Sequence, residues 1–146
     1  MYSTLITLHS VLRYFVLLLL IIVIVKSLMG WQRKEAYTAG DNKLSLRLFI
    51  FTHTQLLIGI ILYFVSPLVV FSGTSMKDSL MRYWLVEHNT MMLIAIVLIT
   101  VARITAKKLS DPVAKHKRMF IFNTIALIVI LTAISMSGRG FFLLNF

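Results

Sequence analysis

Apolar residues fall into four blocks along this chain, Leu5 to Met29, Leu48 to Val70, Trp84 to Ala102 and Met119 to Ser137, separated by shorter polar stretches. A helix needs about 20 apolar residues to cross the hydrocarbon of a bilayer, and each block is near that length or beyond it. Inside lipid the backbone must be satisfied within its own segment, so the blocks predict four spanning helices. Short connections make consecutive helices antiparallel neighbours. The pattern predicts an all-α fold, a transmembrane antiparallel four-helix bundle forming one integral membrane domain over 1–146.

Local signals refine the boundaries. Thr4 or Ser3 can cap helix one, which is expected to be a retained span because no positive leader or small-residue cleavage site accompanies it. The first connection, GWQRKEAYTAGDNK, carries the turn signal Gly40-Asp41-Asn42. Pro67 ends or kinks helix two. Asp111 followed by Pro112 marks the start of helix four, which puts His116 on a helix. The tail, GRGFFLLNF, is too short to span and is expected at the outer interface.

Helical geometry then sorts faces. On helix two, Thr52, Gln55, Gly59, Tyr63 and Ser66 form a stripe of the small and polar kind that marks helix packing, while His53 lies roughly 100° away from it. On helix three, His88 shares a face with Ala95, Ile99 and Ala102, small enough to leave room for a partner. On helix four, His116, Asn123, Ile130 and Ser137 repeat every seven residues.

Composition narrows the class. Of 146 residues, 59% are apolar and 14% charged, and the mean hydropathy is +0.90, which excludes an ordinary soluble domain. With no cysteine there can be no disulfide, iron-sulfur cluster, thiol nucleophile or covalently attached haem, so any redox cofactor is held non-covalently. The net charge of +10 is concentrated around the first and third connections, through Lys26, Arg33, Lys34, Lys43 and Arg47 and through Arg103, Lys107, Lys108, Lys115, Lys117 and Arg118. That is the positive-inside pattern. It predicts a bacterial inner-membrane protein with both termini periplasmic and a cytoplasmic face drawn to anionic lipid. The basic runs carry no array of stacking aromatics of the kind a nucleic-acid platform requires, so nucleic acid is not expected as a partner.

Each span carries one histidine near its N-terminal end, and because directions alternate, His9 and His88 fall toward one leaflet while His53 and His116 fall toward the other. Helices one and three of such a bundle are commonly diagonal, which lets His9 and His88 approach at depths matched to roughly 3 Å by the helical rise. Two facing imidazoles are what a six-coordinate haem iron requires. Ala95 and Ala102 would free space for the ring, Arg13 would meet a propionate or Glu87, and Thr7 or Ser10 would orient the imidazoles. His53 and His116 would form a second site only with a steep tilt. Each residue also has a plainer reading: satisfied interfacial or core histidines, and a buried Arg13–Glu87 ion pair that fixes packing. Met91 and Met92 read as core, since nothing else forms a cluster of soft ligands.

The stretches LHSVLRY (Leu8 to Tyr14), FTHTQLLIGIILYFVSP (Phe51 to Pro67), RYWLVEHNTMMLIAIVLITVAR (Arg82 to Arg103) and KHKRMFIFNTIALIVIL (Lys115 to Leu131) resemble a family of small four-span Bacteroidota membrane proteins loosely labelled cytochrome b-like. The resemblance covers nearly the whole chain and implies a four-helix bundle with haem b. In size and layout the chain is also distantly similar to the haem-binding four-span protoporphyrinogen oxidases, whose other motifs it lacks.

The expected function is a haem b-binding membrane protein for electron transfer, or a small subunit of a quinone-linked respiratory complex, rather than a stand-alone enzyme. His9 and His88 would be the metal ligands, Arg13 and Glu87 the flanking groups, and His53 with His116 the second pair. Two other classes use the same chain. One is an outer-leaflet quinol site lined by Arg13, Tyr14, Tyr83, Glu87 and His88, with quinone as ligand. The other is a cofactor-free accessory or assembly subunit that packs against other membrane subunits or a second copy of itself.

Overall fold

The computed structural model describes residues 2–137, and among these every long element is a helix. Four helices form the bundle: α1 (Tyr2–Arg33), α2 (Ala39–Val65), α3 (Ser79–Lys108) and α4 (Pro112–Met136), all long and apolar enough to cross a membrane. A 3₁₀ turn, Gly73–Met76, lies in the connection before α3. The chain is a multi-pass membrane protein by the length and composition of these helices.

The helices outrun the apolar blocks at most ends. α1 already includes Ser3 and Thr4, so neither is its cap; Thr7 instead returns its hydroxyl to the Ser3 carbonyl at 2.8 Å. Its far end closes with Lys34 at φ 54° and a bond from the Glu35 amide to the Gly30 carbonyl at 3.0 Å, the left-handed closure that satisfies terminal carbonyls. The Gly40-Asp41-Asn42 turn does not form. Thr38 caps α2, its hydroxyl accepting from the Asp41 amide while the Asp41 carboxylate accepts from the Thr38 amide. That reciprocal capping box holds the glycine inside the first helical turn. At the other end Pro67 forces the preceding residue into extended backbone, so α2 stops at Val65 and Leu68 to Val70 leave the helix. Asp111 caps α4 with Pro112 at its first position, as the sequence predicts.

α1 packs on both α2 and α4, and α3 packs chiefly on α4. The α2–α3 seam is the thinnest of the four, so α1 lies diagonal to α3, and α2 to α4. The α3–α4 contact is close because facing stripes are small: Ala95, Ala102 and Ala106 on one side, Ala126 and Ala133 on the other, each nearly or fully buried. Ala102 thus admits a neighbouring helix rather than a ligand. Leu20, Val23, Leu48, Ile99, Met119 and Ile130 complete the core. The outward faces stay apolar, with Phe15, Leu18, Ile50, Leu57 and Ile128 exposed, as a lipid solvent allows.

Candidate cofactor site

At the end of the bundle that carries the N-terminus, α3 departs from a regular helix. Tyr83–Glu87 forms a π-helical turn, closed by the His88 amide on the Tyr83 carbonyl. Widening a helix there releases carbonyls that lipid cannot satisfy. Side chains take them up: Asn89 Nδ2 donates to the Trp84 and Leu85 carbonyls at 3.2 and 3.1 Å, and the Tyr63 hydroxyl donates from α2 to Leu85 at 3.0 Å.

The π turn makes neighbours of residues five apart, which face different ways in an α-helix. Arg82 Nε reaches Glu87 Oε1 at 2.6 Å, so Glu87 pairs with its own helix and not with Arg13. The Tyr83 hydroxyl lies 3.3 Å from His88 Nδ1 and donates to the Ala133 carbonyl of α4 at 2.6 Å. A carbonyl only accepts, so the single hydroxyl proton of Tyr83 goes to Ala133. The tyrosine oxygen then accepts from His88 Nδ1–H, which makes Nε2 the lone-pair nitrogen of neutral His88.

His9 comes from α1. Its carbonyl accepts from Gln55 Nε2 at 2.7 Å, and its Nδ1 is buried with no hydrogen-bond partner among the described residues. The His9 and His88 rings meet edge to face across the diagonal, centroids 6.4 Å apart and planes at 68°. They line a cavity of about 520 Å³ to which all four helices contribute, including Arg13, Gln55, Gly59, Tyr63, Tyr83 and Trp84. Arg13 Nη2 approaches the Tyr14 hydroxyl at 3.1 Å. The stripe on α2 assigned to helix packing does pack, Gln55 on α1 and Tyr63 on α3, and it also lines this cavity through Thr52, Gln55, Gly59 and Tyr63.

His53 and His116 are not brought together. His53 Nδ1 bonds the Phe49 carbonyl of its own helix at 2.8 Å and its ring lies on Phe49. His116 enters α4 about ten residues nearer the helix start than His53 does on α2, roughly 15 Å of depth at the helical rise. It is 2% exposed, its Nε2 bonds the Ala36 carbonyl at 3.1 Å, and its ring lies beside Tyr37. Both histidines do structural work that their placement explains.

The same far end holds a polar junction. Arg103, buried at 9% exposure, points one guanidinium nitrogen at the Asn42 carbonyl, Asn42 Oδ1 and Ser45 Oγ, all within 3.2 Å. By charge alone Arg103 reads as a topology signal; its burial gives it a packing role. Tyr37, in the connection between α1 and α2, has its phenol pushed above its ordinary value by burial and then by Asp41, against opposing effects of Arg103 and a hydrogen bond to Ser45.

No protein family, curated protein or solved structure matches the chain. Among the described residues no three histidine or acidic side chains gather as a metal site.

Proposed function

We propose that the cavity binds haem b between His9 and His88 and that the protein carries electrons in the membrane. One observation carries the reading: two imidazoles from diagonal helices stand 6.4 Å apart, centroid to centroid, in a cavity built by all four spans. Two metal–imidazole bonds of about 2 Å each, with each ring's own radius, place centroids a little over 6 Å apart, so the spacing suits one shared metal. The cavity volume falls within the usual range for small-molecule and cofactor sites. Bound there, haem supplies a one-electron couple tuned by its axial ligands.

The chain's own residues divide the remaining work. Tyr83 holds the His88 proton on Nδ1 and so presents Nε2. Gln55 fixes the backbone of His9. Arg13 is the cation among the described lining residues and suits a porphyrin carboxylate. Glu87, already paired with Arg82, stands outside the ligand set. The charge pattern supports an inner-membrane location with this site near the periplasmic side. The test is a reduced-minus-oxidised spectrum of the purified protein: a sharp α band lost in both His9→Ala and His88→Ala supports axial ligation, and a colourless protein that takes up no added haem rejects it.

A further inference from the structure

The cavity opens sideways. Among the described lining residues, those with outward exposure are Ile60 and Phe64 on α2 and Val86, Thr90 and Leu93 on α3. The lining residues of α1 and α4 are buried or half-buried. The opening therefore lies in the thin α2–α3 seam, between side chains that are apolar but for Thr90, whose hydroxyl donates to the Val86 carbonyl, at the depth of the spans. Whatever exchanges through it is dissolved in the bilayer.

The polar group that meets such a molecule is Gln55. Its Nε2 donates to the His9 carbonyl, and only a donor can stand there, so the amide orientation is fixed and Oε1 is the opposite, accepting end. Oε1 is buried, belongs to a residue that lines the cavity and has no donor among the described residues. A buried acceptor left unmatched is costly, and a ligand hydroxyl satisfies it. We infer that the α2–α3 seam is a lateral docking site for a membrane quinol, held by a ring hydroxyl donated to Gln55 Oε1. The oxidised quinone has carbonyls there and nothing to donate, so the site discriminates by redox state. The inference shares its cavity with the haem reading and extends it by naming the partner; the docking step itself needs no haem.

Isothermal titration calorimetry on the full chain in nanodiscs tests this, with a decyl-tailed benzoquinol, its oxidised benzoquinone, and empty nanodiscs as the blank. The quinol is expected to bind roughly tenfold more tightly than the quinone, the effect of one hydrogen bond to a buried acceptor. In Gln55→Met the ratio falls to near one, and in Leu93→Trp, at the rim, both forms are lost. Equal binding of the two forms by the wild-type protein overturns the site, as does a preference retained in Gln55→Met. If Gln55→Met fails to fold, undiminished binding by Leu93→Trp overturns it alone. Decane, which has no donor, overturns the site if it competes as well as the quinol, since the seam is then only an apolar crevice. The Soret band of the same samples separates the two readings: redox-selective docking without the band sinks haem alone, and the band without selectivity sinks the quinol alone.

Discussion

The Tyr83 hydroxyl and His88 Nδ1 lie 3.3 Å apart although five residues separate them on one helix. Only the π turn between them allows it, and the carbonyl of Ala133 decides the direction of the bond. The local distortion of α3 and the chemistry of its histidine are therefore one feature.

Tyr83→Phe keeps the ring and removes the hydroxyl; the Ala133 carbonyl keeps the Ser137 amide but loses its bond across to α3, and His88 Nδ1 loses the tyrosine oxygen. The lost bond between α3 and α4 is expected to lower stability by about 0.5–1.5 kcal/mol, read by thermal unfolding in detergent. On the proposed ligation of haem by His88, loss of the partner that orients its imidazole is expected to weaken haem binding by roughly 10–100-fold, read by titrating haem into the purified protein. A melt that falls while haem affinity holds would restrict Tyr83 to a structural role.

The far end of the bundle gives a second test. Arg103 reaches three oxygens across the α2–α3 seam, which has few other contacts. Arg103→Met keeps length and apolar bulk but removes the charged donor. The expected loss is about 1.5–3 kcal/mol, typical of hydrogen bonds to a charged group. If the melting curve moves by less than the equivalent of about 0.5 kcal/mol, the magnitude of an ordinary surface change, the cross-link contributes nothing to the fold.

The division between what the chain discloses and what it hides follows the range of the forces. Hydropathy is a sum over some 20 residues, so the four helices and their antiparallel order are legible. The seven-residue repeat that aligns His116, Asn123, Ile130 and Ser137 survives into the structure because α4 is regular, and all four are buried. Caps compete over single turns, which is why Asp41 became part of a capping box and not a turn. The diagonal approach of His9 and His88 follows from helix order. Their surroundings do not, because the wheel arithmetic holds 100° per residue through Tyr83–Glu87, where the helix widens. The expectation that Arg13 meets Glu87 rested on the need of a deep arginine for an anion, and it took no account of this turn, which brings Arg82 to Glu87. Asn89 is the one local signal: an amide able to satisfy loosened carbonyls just after the turn.

Tyr37 predicts a pH dependence. Its folded phenol titrates above its ordinary value, with burial the largest cause and Asp41 the next. A group raised on folding contributes stability that is complete below its unfolded value, near pH 10, and is lost as pH climbs through the higher folded value. Wild-type melting temperature is expected to fall, as pH rises above about 10, more steeply than that of Tyr37→Phe, which carries no titrating group at this position. Parallel curves for the two proteins would remove Tyr37 from the alkaline transition.

Gly30 supplies the sharpest prediction because its sign is reversed. Replacing a glycine inside a helix by alanine ordinarily stabilises by up to about 1 kcal/mol. At Gly30 an added Cβ would stand 2.5 Å from Nδ1 and Cε1 of His116, well inside contact distance. The imidazole has little freedom to retreat, since Nε2 is bonded to the Ala36 carbonyl and Tyr37 flanks the ring. Gly30→Ala is therefore expected to destabilise by about 1–3 kcal/mol, the cost of overpacking a close contact. In a His116→Ala background the obstruction is gone, and the same substitution should be neutral or stabilising. The coupling between the two sites is the measurement, obtained from the unfolding of both single variants and the double variant. Additive effects would mean that α1 and α4 part easily at this contact, and that His116 is not what keeps residue 30 a glycine.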